Sequence, residues 1–531
     1  MTLAGWEAVE AQAARIRALP PGWPVRRPDL EDFIWRAPHL EADVSRQPID
    51  AEAMGALLEL ANERGLASRF KALFSAEIVN ASEGRPALHW ALRGGGEPFA
   101  RANGLMDQAR KAMAFARSAR AGGLGFTVRS ILHVGIGGSD LGPRLVWDAL
   151  RDYHDRSIDV RFCANVDPDD FAEATAGLDP ATTLVIVVSK SFLTPETAAN
   201  AALARAWLIS HLGEAGASHH LAAVSSAPKL AMAWGAAEER IFPMDEAVGG
   251  RYSVWSSVGL SLMIALGEAV WERFLSGGAE MDAHVRDAPL TDNIAARLAM
   301  MDVFLHTALQ IPSRTVLAYV HRLRRLPDFL QQLEMESNGK SAADDALGLV
   351  GPTAPVVWGS VGTLGQHSFH QLLHQGMRES AIEFVASLDA GAGDRERGRA
   401  LLSNAFAQAE ALLAGRSSRA AEARLLAGGM DAARASRQAP HMHMPGGRGS
   451  SLILLDQTSP EALGALLALY EHRTFAAGVL WGINPFDQWG VEHGKVLASE
   501  LETAIRTGVE DAGDAASRRL VELVRRHGFG D

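Results

Sequence analysis

The chain has 531 residues, of which 47% are hydrophobic and 21% are charged, and its formal net charge is −12. This composition is typical of a globular protein with two or three domains and excludes a disordered chain. The single cysteine, Cys163, excludes an internal disulfide, and no block of basic residues marks a nucleic-acid surface.

Short apolar segments separated by helical patterns predict a parallel sheet in the first half of the chain. A helix is expected from Thr194 to about Leu212, because threonine is a good N-cap and proline suits the next position. The apolar stretch 254–270 is shorter than the roughly 20 residues that a bilayer needs, so a buried helix is expected there. The predicted strands are Ile131–Ile136, Val160–Ala164 and Leu184–Val188.

The second half of the chain repeats this alternation, so a second α/β unit surrounded by helices is predicted. Its long helices are expected at Arg399–Leu412 and Ser459–Phe475. Its strands are expected at Thr315–Val320, Pro355–Trp358 and Ser451–Leu455.

A glycine-rich turn follows the first predicted strand. Gly135, Gly137 and Gly138 permit the close backbone approach that an anion or a sugar needs. The third glycine of a dinucleotide fingerprint would stand where the chain has Asp140, so the pattern does not indicate a dinucleotide. A tight turn without a ligand is the alternative for this segment.

A polar segment follows the strand 184–188 and leads into the predicted helix. Ser189, Lys190, Ser191 and Thr194 lie at a strand end and a helix N-terminus, where free N–H groups and the helix dipole favour an anion. Simple helix capping explains Thr194 but not the other three residues, so this segment predicts a phosphate site. The Walker-like run 338–341 lacks its first glycine, because position 334 is a glutamate.

Two helical segments carry candidates for acid–base chemistry. By pattern alone the first is more often a solvated helix face, and in the second Glu492 can simply pair with Lys495. Gln332 and Glu336 are four residues apart on a helix that is expected to end near Asn338. Further along, Gln488 and Lys495 lie two turns apart on one side of a predicted helix. The histidines at 367, 370 and 374 lack the glutamate of a zinc-protease motif, so no metal is expected.

Taken together, these motifs resemble the glucose-6-phosphate isomerase family. They occur in the family's order from about Asn80 to Lys495, and therefore cover most of the chain. The segments that carry the resemblance are Gly135–Pro143, Ser189–Lys190, Asp245–Gly259, Met335–Lys340, Gly362–His367, Gln371–Gly376 and Gly478–Lys495.

The resemblance implies an α/β fold with two sugar-isomerase (SIS) domains of parallel sheet and helical extensions. It implies a cytoplasmic homodimer without a cofactor, and a substrate that is a hexose 6-phosphate. The implied domains are residues 100–265, and a larger domain formed by residues 1–99 and 266–531.

The resemblance also implies a role for each candidate residue. Glu336 moves the proton between C2 and C1 through a cis-enediolate, and Arg251 stabilises that intermediate. His367, reaching the site from the partner subunit, and Lys495 assist ring opening. Ser189, Lys190, Ser191 and Thr194 match the phosphate loop, and the implied sugar contacts are Gly138, Ser139, Gln332 and Gln488.

Some positions depart from the family pattern, since Leu193, Thr194 and Pro195 replace a more polar run. Two alternatives also remain at the level of sequence. One is a non-catalytic sensor that binds sugar phosphates with the same domains, and the other is an isomerase that also accepts mannose 6-phosphate.

Overall fold

The computed structural model describes residues 3–20, 22–94, 100–390, 393–508 and 513–530. These residues form two compact units, Met1–Pro485 and Phe486–Asp531. The described part of the chain contains no helix with both the length and the hydropathy to span a bilayer.

The strands all belong to the first unit. In chain order they are β1 (Ile34–Ala37), β2 (Leu40–Asp43), β3 (Ser130–Val134), β4 (Asp159–Cys163), β5 (Thr183–Val188), β6 (Leu221–Val224), β7 (Ile241–Phe242), β8 (Ser313–Ala318), β9 (Val356–Val361), β10 (Ala381–Ser387) and β11 (Ser450–Leu455).

The first half of the chain forms a five-stranded sheet in the order β4-β3-β5-β6-β7, and all neighbouring strands are parallel. Every residue of β3 and β5 is buried, as expected for central strands covered on both faces. Because β3 and β5 are neighbours, the loops after their carboxyl ends meet at one edge of the sheet, where α/β proteins bind ligands.

The second sheet has the order β1-β2-β11-β10-β8-β9. Its four strands from the second half of the chain are parallel, whereas the hairpin of β1 and β2 joins β11 in antiparallel fashion. The parallel first sheet and the four parallel strands of the mixed second sheet confirm the predicted α/β class.

Helices cover these sheets. In the first unit they are α1 (Ala4–Arg17), α2 (Ala51–Glu63), α3 (Leu66–Phe74), α4 (Ala100–Arg120), α5 (Leu141–Ala149), α6 (Pro168–Thr175), α7 (Pro195–Ser218), α8 (Pro228–Trp234), α9 (Leu260–Leu266), α10 (Glu268–Asp287), α11 (Ile294–Val303), α12 (Leu326–Leu330), α13 (Gly362–Gln366), α14 (His370–Gln375), α15 (Arg395–Ala414), α16 (Ser418–Ala427), α17 (Ala432–Gln438) and α18 (Pro460–Trp481). The second unit contains α19 (Glu492–Thr507) and α20 (Ala515–Val524), which contact each other.

Helix α18 is the centre of the helical core. Residues 462–481 are all buried, and the helix packs against α10 and α11. Its first turn is capped by the Ser459 hydroxyl, which accepts a hydrogen bond from the Ala462 amide. A helix that is buried all round needs partners for its polar side chains, and α18 carries several charged residues.

The apolar stretch 254–270 differs from the single helix that its hydropathy predicts. It is buried through residue 267, but Gly267 has a φ of 82° and separates α9 from α10. With a ψ of 162° this glycine leaves helical geometry altogether, in a conformation that is open to glycine because it has no Cβ. The stretch therefore forms a short buried helix followed by the start of a longer one.

Candidate active site

The glycine turn after β3 packs directly against a second backbone segment. Residues 137–139 form a short 3₁₀ turn, in which Gly137 has a φ of 60°. A Cβ built on Gly138 would lie 2.2 Å from the carbonyl carbon of Gly250 and 2.7 Å from the amide nitrogen of Arg251. Glycine at 138 therefore lets the turn contact the backbone that carries Arg251.

A buried histidine fixes the far side of this turn. The Nε2 atom of His133 lies 2.7 Å from the Ser139 carbonyl oxygen, and its Nδ1 atom lies 2.9 Å from the Ser261 hydroxyl. Burial lowers the pKa of His133 to about 4, so the ring is neutral, with Nε2–H donating to Ser139 and Nδ1 accepting from Ser261. Sequence reasoning did not select His133, although a histidine inside an apolar strand was a signal of such a role.

Arg251 and Glu336 form an ion pair beside the turn. The Nη1 atom of Arg251 lies 3.4 Å from Oε1 of Glu336, and the arginine side chain is only 1% exposed whereas that of Glu336 is 23% exposed. Arg251 also donates from Nε to the Ser337 hydroxyl at 2.6 Å and from Nη2 to the Pro485 carbonyl at 2.8 Å. A guanidinium held in this way is a fixed positive charge next to a partly accessible carboxylate.

Gln332 lies on the same side of this helical segment as Glu336. Its amide nitrogen is 3.1 Å from the position that a Cβ on Gly137 would occupy, so its side chain lies against the glycine turn. The helical segment ends at Asn338, as the sequence predicts. The structure thus brings the glycine turn, Arg251, Gln332 and Glu336 together.

The polar segment after β5 forms a tight loop. The Ser189 hydroxyl accepts from the Phe192 amide at 3.1 Å, and the Ser191 hydroxyl accepts from the Leu193 amide at 3.2 Å. Thr194 occupies the N-cap position of α7, but its side chain makes no capping hydrogen bond. Capping therefore does not account for the Thr194 hydroxyl in this structure.

Two cations lie beside this loop. The Nζ atom of Lys190 and the Nη1 atom of Arg85 lie 3.5 Å and 3.2 Å from the same Glu246 carbonyl oxygen. Burial lowers the pKa of Lys190, and the positive charge of Arg85 lowers it further. Arg85 also pairs with Glu83 and Glu246, and the negative charges of these two carboxylates act to raise the pKa of Lys190. Sequence reasoning missed Arg85, which is distant in the chain.

His367 lies elsewhere on the first unit. It is exposed and lines a groove of about 460 Å³ between α14 and the 441–444 segment, together with His370 and His374. Glu336 and Arg251 do not line this groove. Within the described residues, no cluster of three or more His, Cys, Asp or Glu side chains is arranged to hold a metal ion.

Two further candidates belong to the second unit. Lys495 lies in the first turn of α19, where its Nζ atom is 3.3 Å from Oε1 of Glu492. Gln488 precedes the short 3₁₀ turn that leads into that helix, so the prediction that it shares one helix side with Lys495 is wrong. The pairing of Glu492 with Lys495 is the simple structural role that their spacing allowed.

Comparisons with known proteins add independent findings. The family model described as phosphoglucose isomerase matches residues 43–521. A glucose-6-phosphate isomerase from Caulobacter sp. (strain K31) is 46% identical over 496 residues, which cover 92% of each chain. That of Aromatoleum aromaticum is 43% identical and covers 99% of this chain and 97% of its own.

A solved structure gives the same result at the level of the fold. The crystal structure of a glucose-6-phosphate isomerase from Chlamydia trachomatis superposes with a TM-score of 0.83 at 29% identity, and 99% of both chains is covered. The match extends over both sheets and the helices around them. The chain belongs to the phosphoglucose isomerase family.

Proposed function

We propose that this chain interconverts glucose 6-phosphate and fructose 6-phosphate, a step of glycolysis and gluconeogenesis, with Glu336 as the base. The observation that carries the proposal is the ion pair between Arg251 and Glu336, in which a buried guanidinium faces a partly accessible carboxylate. The activity follows from membership of the family, whose named relatives above are glucose-6-phosphate isomerases. These names favour an enzyme over a non-catalytic sugar-phosphate sensor, and acceptance of mannose 6-phosphate stays open to substrate profiling.

The proton transfer needs one acid–base group and one fixed positive charge. Glu336 takes the proton from C2 of the open-chain aldose and becomes a neutral carboxylic acid, while the substrate becomes a cis-enediolate. Returning that proton to C1, with the hydroxyl proton moving from O2 to O1, completes the ketose. Arg251 stabilises the negative charge of the enediolate and does not itself lose a proton at neutral pH.

The loop after β5 supports binding of the phosphate group. Ser189, Lys190, Ser191 and Thr194 offer hydroxyls and a cation at the N-terminus of α7, where backbone N–H groups favour an anion. Binding the phosphate away from the reacting carbons orients C1 and C2 toward Glu336.

The sugar itself is assigned to the turn and its surroundings. Its hydroxyls are contacted by Gly138, Ser139 and Gln332. The family resemblance adds Gln488 to these contacts and gives Lys495 a role in ring opening.

We further propose a cytoplasmic homodimer in which His367 opens the sugar ring at the site of the partner. The exposure of His367 and its place in a groove apart from Glu336 support this assignment. The division into a domain of residues 100–265 and a larger domain of residues 1–99 and 266–531 stays a prediction.

A coupled assay that follows fructose 6-phosphate conversion tests the function. Glu336→Gln keeps the size of the side chain but cannot accept a proton, so we expect loss of turnover and of C2-proton exchange with deuterated water. Glu52→Gln, at an exposed position on α2, is the matched control and should retain full activity. Wild-type protein that binds the substrate without converting it would exclude an isomerase, and an active Glu336→Gln would exclude Glu336 as the base.

Mixing two inactive variants tests the origin of His367. If the histidine acts across the interface, dimers that pair Glu336→Gln with His367→Ala contain one intact site. Random mixing should then restore about a quarter of the wild-type activity, because half of the dimers are mixed and each has one intact site. If His367 acts within its own chain, no mixed dimer has an intact site, and no activity returns.

A further inference from the structure

The helical segment that carries Gln332 and Glu336 does not keep α-helical geometry. It is α-helical at Leu326–Leu330, π-helical at Gln331–Glu336 and helical again to Asn338. π-turns are rare and occur mostly as single turns, often at functional sites. Such a turn needs side-chain contacts that hold it against relaxation to an ordinary α-helix.

Glu334 lies inside this π-turn and points away from the site. It is 5% exposed, and its Oε1 atom lies 2.5 Å from Nη1 of Arg314 on β8. Arg314 is itself buried and pairs through its Nη2 atom with Asp302 of α11. The π-turn is therefore tied to β8, which lies between β10 and β9 in the second sheet, by a buried charged hydrogen bond.

The pair belongs to a larger buried cluster. Arg473 of α18 donates from Nε to Asp302 at 2.7 Å and from Nη1 to Glu383 of β10 at 2.6 Å. The hydroxyl of Tyr470 donates to the other oxygen of Glu383 at 2.7 Å. This buried cluster consists of Arg314, Arg473, Asp302, Glu334, Glu383 and Tyr470, and among these residues only Glu334 lies on the π-turn.

The buried cluster contains three carboxyl groups and two guanidinium groups. Burial raises the pKa of Glu334 to about 7, although Arg314 and Arg473 act to lower it. Asp302 is held ionised by the two arginines, which lower its pKa to about 2. Among the carboxyl groups of the buried cluster, Glu334 is thus the one whose pKa is raised toward neutral pH.

A pocket too tight to hold a water molecule lies beside Glu334. Glu334, Asn338 and Thr474 line it together with Asp302 and Arg473. The Oδ1 atom of Asn338 is buried there without a hydrogen-bond partner, and so is the Thr474 hydroxyl. Neither atom accepts a hydrogen bond from Glu334, so the bond from Arg314 is what holds this carboxyl in place.

We propose that Glu334 is a positioning residue for the isomerisation: its bond to Arg314 holds the π-turn in the geometry that directs Glu336 toward the substrate beside Arg251. The inference rests on the proposed function, because it needs Glu336 to be the base. It requires the reach and the hydrogen bond of Glu334, not its negative charge.

Three substitutions at position 334 separate these requirements. Glu334→Gln keeps the reach and an acceptor oxygen for Arg314, so kcat should stay within about threefold of wild type. Glu334→Asp keeps a carboxyl group but withdraws it by about 1.5 Å, one C–C bond, so kcat should fall. Glu334→Leu removes the bond, and kcat should fall about 10²-fold, the cost of misplacing a reacting group by about 1 Å, with KM nearly unchanged.

Glu383→Leu is the matched control, because it removes a carboxyl of the same buried cluster from a strand outside the π-turn. It should lower thermal stability while kcat of the folded fraction stays near wild type. If Glu383→Leu lowers kcat as much as Glu334→Leu, or if Glu334→Asp and Glu334→Leu keep wild-type kcat, the positioning role is wrong. If Glu334→Leu does not fold, the other two variants test the proposal. A higher kcat for Glu334→Gln than for Glu334→Asp supports it, and a lower kcat contradicts it.

Wild-type activity and the Glu336→Gln variant separate this test from the proposed function. An inactive wild type or an active Glu336→Gln contradicts the function itself. An active wild type together with an inactive Glu336→Gln agrees with the proposed function. The variants at position 334 then test only the positioning role.

Discussion

The close approach of Gly138 to Gly250 makes a quantitative prediction for Gly138→Ala. The new Cβ would lie 2.2 Å from the Gly250 carbonyl carbon, so that backbone has to retreat by about 1 Å to reach ordinary contact near 3.4 Å. Arg251 is the next residue, and its guanidinium is 3.4 Å from Glu336. A displacement of about 1 Å in a site of this kind costs about 10²-fold in kcat. Forcing an extra methyl into a packed position also costs about 1–3 kcal/mol of stability.

Gly250→Ala is the matched control for this substitution. A Cβ at Gly250 meets no atom within 4 Å, and its φ is not left-handed. The two residues face each other across the same contact, yet only one side has space for a methyl group. Steady-state kinetics on both variants, with thermal unfolding to correct for the folded fraction, should show a large loss of kcat for Gly138→Ala alone. Equal activity of the two variants would contradict the assignment of this contact to the site.

Further predictions follow from the same turn and from the helical core. His133→Phe should lower the free energy of unfolding by about 1–3 kcal/mol and raise KM, because the Ser139 carbonyl loses a buried donor. The contribution of His133 to the free energy of unfolding should be fully present above pH 6.5 and decrease as the pH falls toward 4, because the unfolded imidazole gains a proton that the folded one does not. Urea unfolding of wild type and His133→Phe across this range measures that contribution. A difference in stability that stays constant with pH would contradict the prediction. Gly277→Ala should destabilise strongly, because its Cβ would overlap the Glu461 carbonyl oxygen. Gly55→Ala, at an exposed position of α2, should instead stabilise by about 1 kcal/mol. A calorimetric measurement that ranks the two variants in the opposite order would refute the packing of α10 on α18.

The central strands were predictable because buried parallel strands are continuous apolar runs. Strands β3, β5 and β11 lie within a residue or two of their predicted positions. The strand β10 was not predicted, although all of its residues are buried. It contains Glu383, and a charged residue within a short segment does not indicate a buried strand unless its partner, here Arg473, is known.

The candidate residues of the first unit were identified partly by local chemistry and partly by family resemblance. Local chemistry indicated the loop 189–194, because strand ends and helix starts favour anions. It could not select Glu336 over other carboxylates, since spacing alone fits a solvated helix face. Arg85 and His133 were missed because their roles depend on contacts with residues that are distant in sequence.

The buried cluster around Arg314 shows why the rest of the site cannot be derived from sequence pattern. A buried ion pair seldom adds net stability over apolar packing, but removing one partner is strongly destabilising because it leaves an unpaired charge. Such a cluster therefore adds little net stability, but it fixes the relative positions of the elements that it joins. In this protein the cluster joins two strands, α11 and α18 to the one turn that carries Glu336. Glu334 is the member of this cluster that ties the segment carrying Glu336 to β8, through Arg314, and no spacing in the sequence indicates that contact.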